Sequence, residues 1–234
     1  MTAGPTGTGP SQLVLGLSHR PALGRDDFLV ASSNAEAVAW LDRWPDWPAT
    51  ALALHGPAGA GKSHLAQVWR RRSGAAEAAG EGPLDPPALA AAGAVVLDLG
   101  DAASPGAERP VLHLYNLLAE RRGHLLLVGR EPPARWPIEL PDLRSRLATA
   151  PAVALLPPDD ELRAAVMVKL FADRQIRVEA EVVSYLLQRL DRSFAAIGQA
   201  VAALDEAALA ERRPITVPLA RAVLARLVQP ELEF

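Results

Sequence analysis

The stretch that decides the fold is HGPAGAGKSH, residues 55–64. Gly56, Gly61, Lys62 and Ser63 stand in it at the G-x-x-x-x-G-K-[ST] spacing. Glycines let a loop curl until its backbone N–H groups point at phosphate oxygens, and a helix N-terminus adds partial positive charge. Lys62 supplies a compact ammonium for the β- and γ-phosphates, and the Ser63 hydroxyl is a ligand for Mg²⁺. The stretch therefore predicts a nucleotide-binding loop, against the alternative of a glycine-rich turn without a ligand.

The flanks of this stretch agree with that interpretation. TALALHG, residues 50–56, is a short apolar run bounded by turn residues, which predicts a buried parallel strand. A helix is expected over residues 62–72, ending in three arginines that complement its C-terminal dipole. The residues expected to line the nucleotide are Pro57, Ala58, Gly59, Ala60, Gly61, Lys62, Ser63 and His64.

A second apolar run, AVVLDLGD, ends its predicted strand at Asp98. A Mg²⁺-bound nucleotide needs a carboxylate at the end of a neighbouring strand, and Asp98 fits that role together with Ser63. The alternative is a solvated aspartate at a strand end. ATPases of this layout usually place a second acid next, to orient the attacking water, but here Leu99 follows. We therefore expect weak hydrolysis by this chain alone.

The remaining pattern places helices and strands in alternation, then helices only. A helix over residues 34–44 with caps at Ser32 or Ser33, a helix opened by Pro110 and a third strand, HLLLVGR, complete a parallel α/β core. We place no strand in residues 73–93. After residues 157–158 four amphipathic segments follow. The expected domains are a flexible tail (1–27), an α/β nucleotide-binding core (28–156) and an all-α lid bundle (157–234).

Composition excludes several classes of protein. The net charge is -3 and there are no cysteines. We therefore expect neither a general attraction to nucleic acid nor disulfides or thiolate metal sites. No run approaches the roughly 20 apolar residues that cross a bilayer, and the N-terminus does not resemble a signal peptide. A soluble cytoplasmic protein without membrane partners is expected.

The polar N-terminal segment contains one apolar island, QLVLGL, residues 12–17. Its alternating leucines suit an edge strand on the protein's own sheet, or a peptide that a partner covers. From the residues alone both interpretations stand.

Several segments together resemble the AAA+ ATPase domain of the bacterial replication initiator DnaA. The resemblance runs from Gln12 onward and rests on DFLVASSNAEAV, VLHLYNLL, LLLVGREPP, DLRSRL, LDRSFAAI and ERRPITVPLARAVL. The chain stops where the lid of that domain stops and has no segment like the DNA-reading domain of DnaA, so sequence-specific DNA binding is not expected. Within this clade it resembles the Hda family, which acts in regulatory inactivation of DnaA.

This resemblance implies an AAA+ P-loop core with a helical lid, and a function. Hda proteins carry a Q-L-x-L-x-L peptide that binds the sliding clamp, the beta subunit of DNA polymerase III. The peptide matches here at Gln12, Leu13, Leu15 and Leu17. The implied function is stimulation of ATP hydrolysis on DnaA, with ADP or ATP and Mg²⁺ bound to this chain. Formation of homo-oligomers is left open.

The resemblance also assigns two arginines. Arg146, in DLRSRL, matches the arginine finger, a residue that reaches the γ-phosphate held by a neighbouring subunit, with Arg144 in a lesser role. Arg192, in LDRSFAAI, matches the sensor-two residue that reaches the chain's own nucleotide. Surface arginines remain the alternative for both. Arg130 stands where the family usually has a small acidic residue.

Two other functions fit the same motifs. One is a self-acting AAA+ ATPase of the helicase-loader or remodelling type. The other is a nucleotide-binding clamp adaptor that provokes no hydrolysis.

Overall fold

The computed structural model describes residues 29–79, 83–99 and 108–228. These residues form a five-stranded parallel sheet in the order β2-β3-β4-β1-β5. The strands are β1 (Ala51–His55), β2 (Ala76–Ala79), β3 (Ala94–Asp98), β4 (His124–Gly129) and β5 (Ala152–Ala154). The helices are α1 (Ala35–Asp42), α2 (Lys62–Ser73), α3 (Pro86–Ala90), α4 (Glu108–Glu120), α5 (Pro141–Ala148), α6 (Asp160–Asp173), α7 (Ala180–Leu187), α8 (Phe194–Glu211) and α9 (Val217–Val228).

The described residues fall into two compact units. The core unit comprises residues 29–159 together with Arg192–Phe194, and the helical unit comprises residues 160–191 and 195–228. The expected α/β core with a parallel sheet and a helical C-terminal region is confirmed. The expected domain limit lay at residues 156–157, whereas the helical unit begins at Asp160.

The core unit buries both faces of its sheet. Leu52, Leu54 and Val96 point to the face packed with α1 and α2, whereas Ala53, Val95 and Leu97 point to the face packed with α4 and α5. This alternation follows from the two-residue period of a strand, and helices on both faces explain why the strands are apolar throughout.

The helical unit is a small bundle with its own apolar interior. Its helix α7 packs against α6 and α9. Met167, Phe171, Leu186, Val201 and Leu204 are buried in it. Spacings of three or four residues put these side chains on the inner face of each helix. Among all the described helices, none is long and apolar enough to cross a membrane.

Several details differ from the sequence-based expectations. The strands β2 and β5 were not predicted, because Ala-rich segments have low strand propensity and only pairing with β3 and β1 makes them strands. Within the described residues α4 runs from Glu108 and so includes two residues ahead of the expected Pro110; proline is tolerated in a first turn, whose N–H groups have no intrahelical acceptor. Asn34, not a serine, occupies the N-cap position of α1.

Candidate functional site: the phosphate loop and the arginine helix

The loop between β1 and α2 has the backbone that phosphate binding requires. Gly59 and Gly61 have φ angles of +74° and +98°, in the region that residues with a Cβ rarely adopt. Gly61 is followed directly by the first residue of α2, Lys62. The first N–H groups of this 12-residue helix have no intrahelical acceptor and carry its partial positive charge.

The same glycines are also required by close packing. A Cβ added at Gly59 would collide with the Cβ of Ser193, and one added at Gly61 would lie 3.0 Å from Cε2 of Phe194. The backbone N–H of Phe194 donates a hydrogen bond to the carbonyl oxygen of Gly59, with an N···O distance of 3.1 Å. The segment Arg192–Phe194 of the core unit therefore lies against the loop. Arg192, the predicted sensor-two residue, is an exposed member of that segment.

Lys62 is held at this loop by backbone carbonyl groups. Its Nζ donates to the carbonyl oxygens of Gly56 and Pro57 at 2.8 Å each. Ser63 and His64 follow on the exposed surface of the first turn of α2, while Ala60 is buried beneath the loop. A di- or triphosphate requires hydrogen-bond donors of the kind found here: the Lys62 ammonium, the Ser63 hydroxyl and the N–H groups at the start of α2. The left-handed glycines shape the loop around them, so the residues fit such a ligand.

The order of the strands corrects one expectation about Asp98. We expected its carboxylate on the strand next to the phosphate loop, but β4 lies between β1 and β3. Arg130 follows the end of β4 and therefore stands between the phosphate loop and Asp98 along this sheet edge. Its carbonyl oxygen accepts the N–H of Gly56 at 3.0 Å. At about 4.8 Å per strand, Asp98 is roughly 10 Å across the sheet from the end of β1, with Arg130 between them.

Leu99 is part of the apolar core. Its side chain is 3% exposed among residues that include Val111 and Trp136, and its N–H donates to the carbonyl oxygen of Val128 at 2.9 Å. In this structure the position of a second acid thus points into the interior.

His55 is the last residue of β1, directly before the phosphate loop, and it is hydrogen-bonded to the residue that follows β5. Its carbonyl oxygen accepts the N–H of Leu155 at 2.7 Å. Burial lowers the pKa of His55 below its ordinary value of 6.5; Glu131 opposes that shift, while Arg135 and Lys62 add to it. The shift favours the neutral form of the imidazole beside the phosphate loop.

Helix α5 carries the two arginines of DLRSRL in different surroundings. The Arg144 guanidinium donates through Nε, at 3.0 Å, and through Nη2 to the carbonyl oxygen of Ile138. Arg146 is exposed, and its Cζ lies over the ring of Tyr115, 5.5 Å from the centroid. Among the described residues, the guanidinium of Arg146 makes no hydrogen bond or ion pair. Of the two, Arg146 has its donors available to another molecule.

Two contacts at this helix have no signal in the sequence. Tyr115 lies 31 positions before Arg146, and Glu108 accepts hydrogen bonds from the backbone just before α5. Nothing in the local pattern of either segment points to the other. The peptide formed by Gln12, Leu13, Leu15 and Leu17 lies outside the described residues.

Comparison with known proteins defines the class. The family model for the lid domain of Hda matches residues 160–224. Domain III of the replication initiation protein DnaA from Thermotoga maritima superposes with a TM-score of 0.76, at 18% identity, over 90% of this chain and 99% of that one. AMPPCP-bound DnaA from Aquifex aeolicus gives 0.63 at 16% identity, over 75% and 62% of the two chains. A RuvB protein of T. maritima gives 0.64 at 13% identity, over 83% and 68%.

At these identities the structural likeness shows the fold. The chain has the AAA+ fold of DnaA domain III, with a G-x-x-x-x-G-K-[ST] loop between β1 and α2. In the C-terminal part of the chain, residues 160–224 match the lid domain of Hda.

Proposed function

We propose that this protein regulates the initiation of chromosome replication by stimulating hydrolysis of the ATP that DnaA holds. In this proposal it binds an adenine nucleotide of its own, docks on the sliding clamp, and presents Arg146 to the γ-phosphate in the partner's site. The Hda lid domain and the DnaA-like core support this class of function. The roles of the phosphate loop and of Arg146 rest on the geometry described above, and the clamp peptide rests on its match to the Q-L-x-L-x-L peptide of Hda proteins.

The nucleotide of this chain would be bound by the phosphate loop. Lys62 and the N–H groups at the start of α2 would hold its phosphates, and the exposed Arg192 beside the loop would approach them from the segment that follows α7. Ser63 would hold Mg²⁺, which neutralises phosphate charge when bound; Asp98, two strands from β1 at the same sheet edge, would be its carboxylate partner across Arg130. A DnaA with the same fold has been seen with AMPPCP bound, which supports ADP or ATP as the ligand.

The observation that carries the proposal is the contrast between Leu99 and Arg146. The chain buries an apolar side chain where its own hydrolysis would need an acid, yet the exposed guanidinium of Arg146 makes no hydrogen bond or ion pair to any other described residue. An arginine supplied in trans stabilises the negative charge on the transferring phosphoryl group and contributes on the order of 10³–10⁵ in rate. A protein so equipped is suited to activate hydrolysis in another molecule.

In this proposal the clamp peptide localises the protein to the sliding clamp. Three buried leucines contribute roughly 5–8 kcal/mol, while ordering about six residues costs roughly 6–12 kcal/mol. Backbone hydrogen bonds to the clamp must offset the difference, so a single peptide binds weakly. A ring with repeated sites on DNA raises the effective concentration of the bound protein.

The test mixes the full-length protein, DNA-loaded clamp and DnaA carrying labelled ATP, and follows the formation of ADP. Wild-type protein should accelerate hydrolysis strongly, whereas Arg146→Ala should not. Arg226→Ala, an exposed arginine in the last turn of α9, is the matched control and should act as wild type. Equal rates for wild type and Arg146→Ala would refute the role of Arg146 as an arginine finger.

Two other outcomes separate the competing functions. Steady ATP turnover by the purified chain, stimulated by single-stranded DNA, would identify a self-acting ATPase. Clamp-dependent recruitment that is unchanged in Arg146→Ala, with no acceleration of hydrolysis, would identify an adaptor.

The peptide has its own test. Replacing Leu13, Leu15 and Leu17 by alanine should abolish retention on immobilised clamp, because the apolar area that drives docking is gone. Replacing Leu209, an exposed leucine of α8, is the control and should leave retention unchanged. Retention by the triple variant would return the peptide to the edge-strand interpretation.

A further inference from the structure

We infer that helix α4 is the platform that presets the arginine finger, with Tyr115 and Glu108 as its two positioning residues. This inference rests on the proposed function and deepens it, because it explains how an exposed, flexible side chain is directed before the partner arrives. Three contacts link α4, α5 and the segment that joins β4 to α5.

The first contact fixes the start of α5. Both carboxylate oxygens of Glu108 accept hydrogen bonds from backbone N–H groups, one from Glu139 at 2.8 Å and the other from Leu140 at 2.7 Å. Leu140 immediately precedes the first residue of α5. Charge-assisted bonds of this kind are strong, and a negative group beside a helix N-terminus also complements the dipole. The carboxylate therefore anchors α5 at its N-terminal end to the first turn of α4.

The second contact ties down the neighbouring arginine. Arg144 donates twice to the carbonyl oxygen of Ile138, a residue just upstream of the same helix start. Ile138 is itself buried in the core. Arg144 is thus engaged with the backbone of Ile138 and strengthens the turn that leads into α5. It acts on the placement of the helix, and Arg146 is left as the side chain for an external phosphate.

The third contact directs Arg146 itself. Tyr115 is 7% exposed, so its ring is held by the core and cannot follow the arginine. The guanidinium carbon lies over that ring, within the distance at which a cation is attracted to an aromatic face. An attraction to the π face engages no N–H group of Arg146. The ring therefore restricts the rotamers of the side chain and leaves its hydrogen-bond donors for phosphate oxygens.

The consequence is kinetic. A free arginine loses considerable rotamer freedom when it is immobilised, and a side chain that is already directed loses less. Because the finger contacts the phosphoryl group most strongly in the transition state, the benefit appears in the maximal rate and not in the concentration needed for half-maximal effect.

The experiment measures stimulated hydrolysis of ATP on DnaA as a function of the concentration of this protein. Tyr115→Leu should lower the maximal rate about three- to tenfold with little change in the half-maximal concentration. Tyr115→Phe, which keeps an aromatic face, should restore most of the rate. Tyr185→Leu is the matched control: it removes an equivalent ring, 3.9 Å beneath Arg189 in the helical unit, and should act as wild type.

A second variant tests Glu108, the other positioning residue, without creating a cavity in the core. Glu108→Ala should lower the maximal rate as well, whereas Glu120→Ala, at the exposed C-terminal end of the same helix, should not. Circular dichroism and thermal melts identify variants that fold. Should Tyr115→Leu fail to fold, Glu108→Ala decides the question.

A readout independent of DnaA completes the test. In NMR spectra of the protein alone, the side-chain signals of Arg146 should show a ring-current shift that Tyr115→Leu removes and Tyr115→Phe retains. Wild-type protein that fails to stimulate hydrolysis overturns the proposed function. Wild-type protein that stimulates, alongside folded Tyr115→Leu and Glu108→Ala variants with unchanged rates, overturns this inference alone.

Discussion

The backbone N–H of Phe194 donates to the carbonyl oxygen of Gly59, a residue 135 positions earlier in the chain, at 3.1 Å. The bond fastens the segment that contains Arg192 to the phosphate loop. It also explains why the loop has glycine at a position whose identity the motif leaves free. The requirement at Gly59 is therefore double, for a left-handed backbone and for room beside Ser193.

We predict that Gly59→Ala weakens both folding and nucleotide binding. The control is Gly74→Ala, because Gly74 has nearly the same φ, +68° against +74°, but nothing within 4 Å of an added Cβ. Strain at a left-handed position costs about 1–2 kcal/mol in both variants. The collision with Ser193 should add about 1–3 kcal/mol in Gly59→Ala only. Urea unfolding and binding of a fluorescent ADP analogue measure the two effects; equal stability of the two variants would contradict the steric account.

Lys62→Ala should reduce affinity for ADP in the presence of Mg²⁺ by about ten- to a hundredfold, the equivalent of one lost charged hydrogen bond. Lys62→Arg should not restore it, since a planar guanidinium replaces a compact ammonium poorly. The chain offers a matched control in Lys169→Ala, its other lysine, which pairs with Asp173 on α6. Isothermal titration calorimetry gives both constants. Wild-type affinity in Lys62→Ala would show that Lys62 does not bind the phosphate groups of the nucleotide.

Placing an acid at position 99 should not create an ATPase. Because Leu99 packs in the apolar core, Leu99→Ala costs about 2–4 kcal/mol of stability. Leu99→Asp should cost more, since it also buries a carboxyl group among apolar side chains. We expect a lower melting temperature and no gain in the ATP turnover of the isolated protein. A stable, actively hydrolysing Leu99→Asp variant would show that this position can face the nucleotide.

His55 should make the stability of the protein depend on pH. Burial lowers its pKa in the folded protein, so the unfolded chain binds more protons between the folded-state pKa and 6.5. The free energy of unfolding therefore falls as the pH drops below about 6.5 and levels off below the folded-state pKa. His55→Gln should flatten this part of the curve. His113→Gln, an exposed change on α4, should retain the wild-type slope because His55 is still present.

The sequence alone determined the class of the core and the chemistry of its loop. The glycines, Lys62 and Ser63 lie within eight consecutive residues, so their joint geometry depends only on the strand and helix that flank them. Apolar runs at strand length and amphipathic segments at helical period likewise specify a parallel sheet and a helical bundle from local pattern. The sequence alone also shows that Leu99 departs from the usual pattern, in which a second acid follows the aspartate at the strand end.

Only the tertiary structure decided which distant residues meet. The strand order inserts β4 between β1 and β3, so Arg130 lies between the phosphate loop and Asp98. Folding also makes the alanine-rich β2 a strand, engages Arg144 with Ile138, and sets Arg146 over Tyr115. The two side-chain contacts join residues that are roughly 6 and 31 positions apart. The order of the strands in the sheet is likewise not indicated by any local pattern. These contacts and the strand order depend on long-range pairing and packing, whose free energy comes from the assembled core and is absent from any short stretch of sequence.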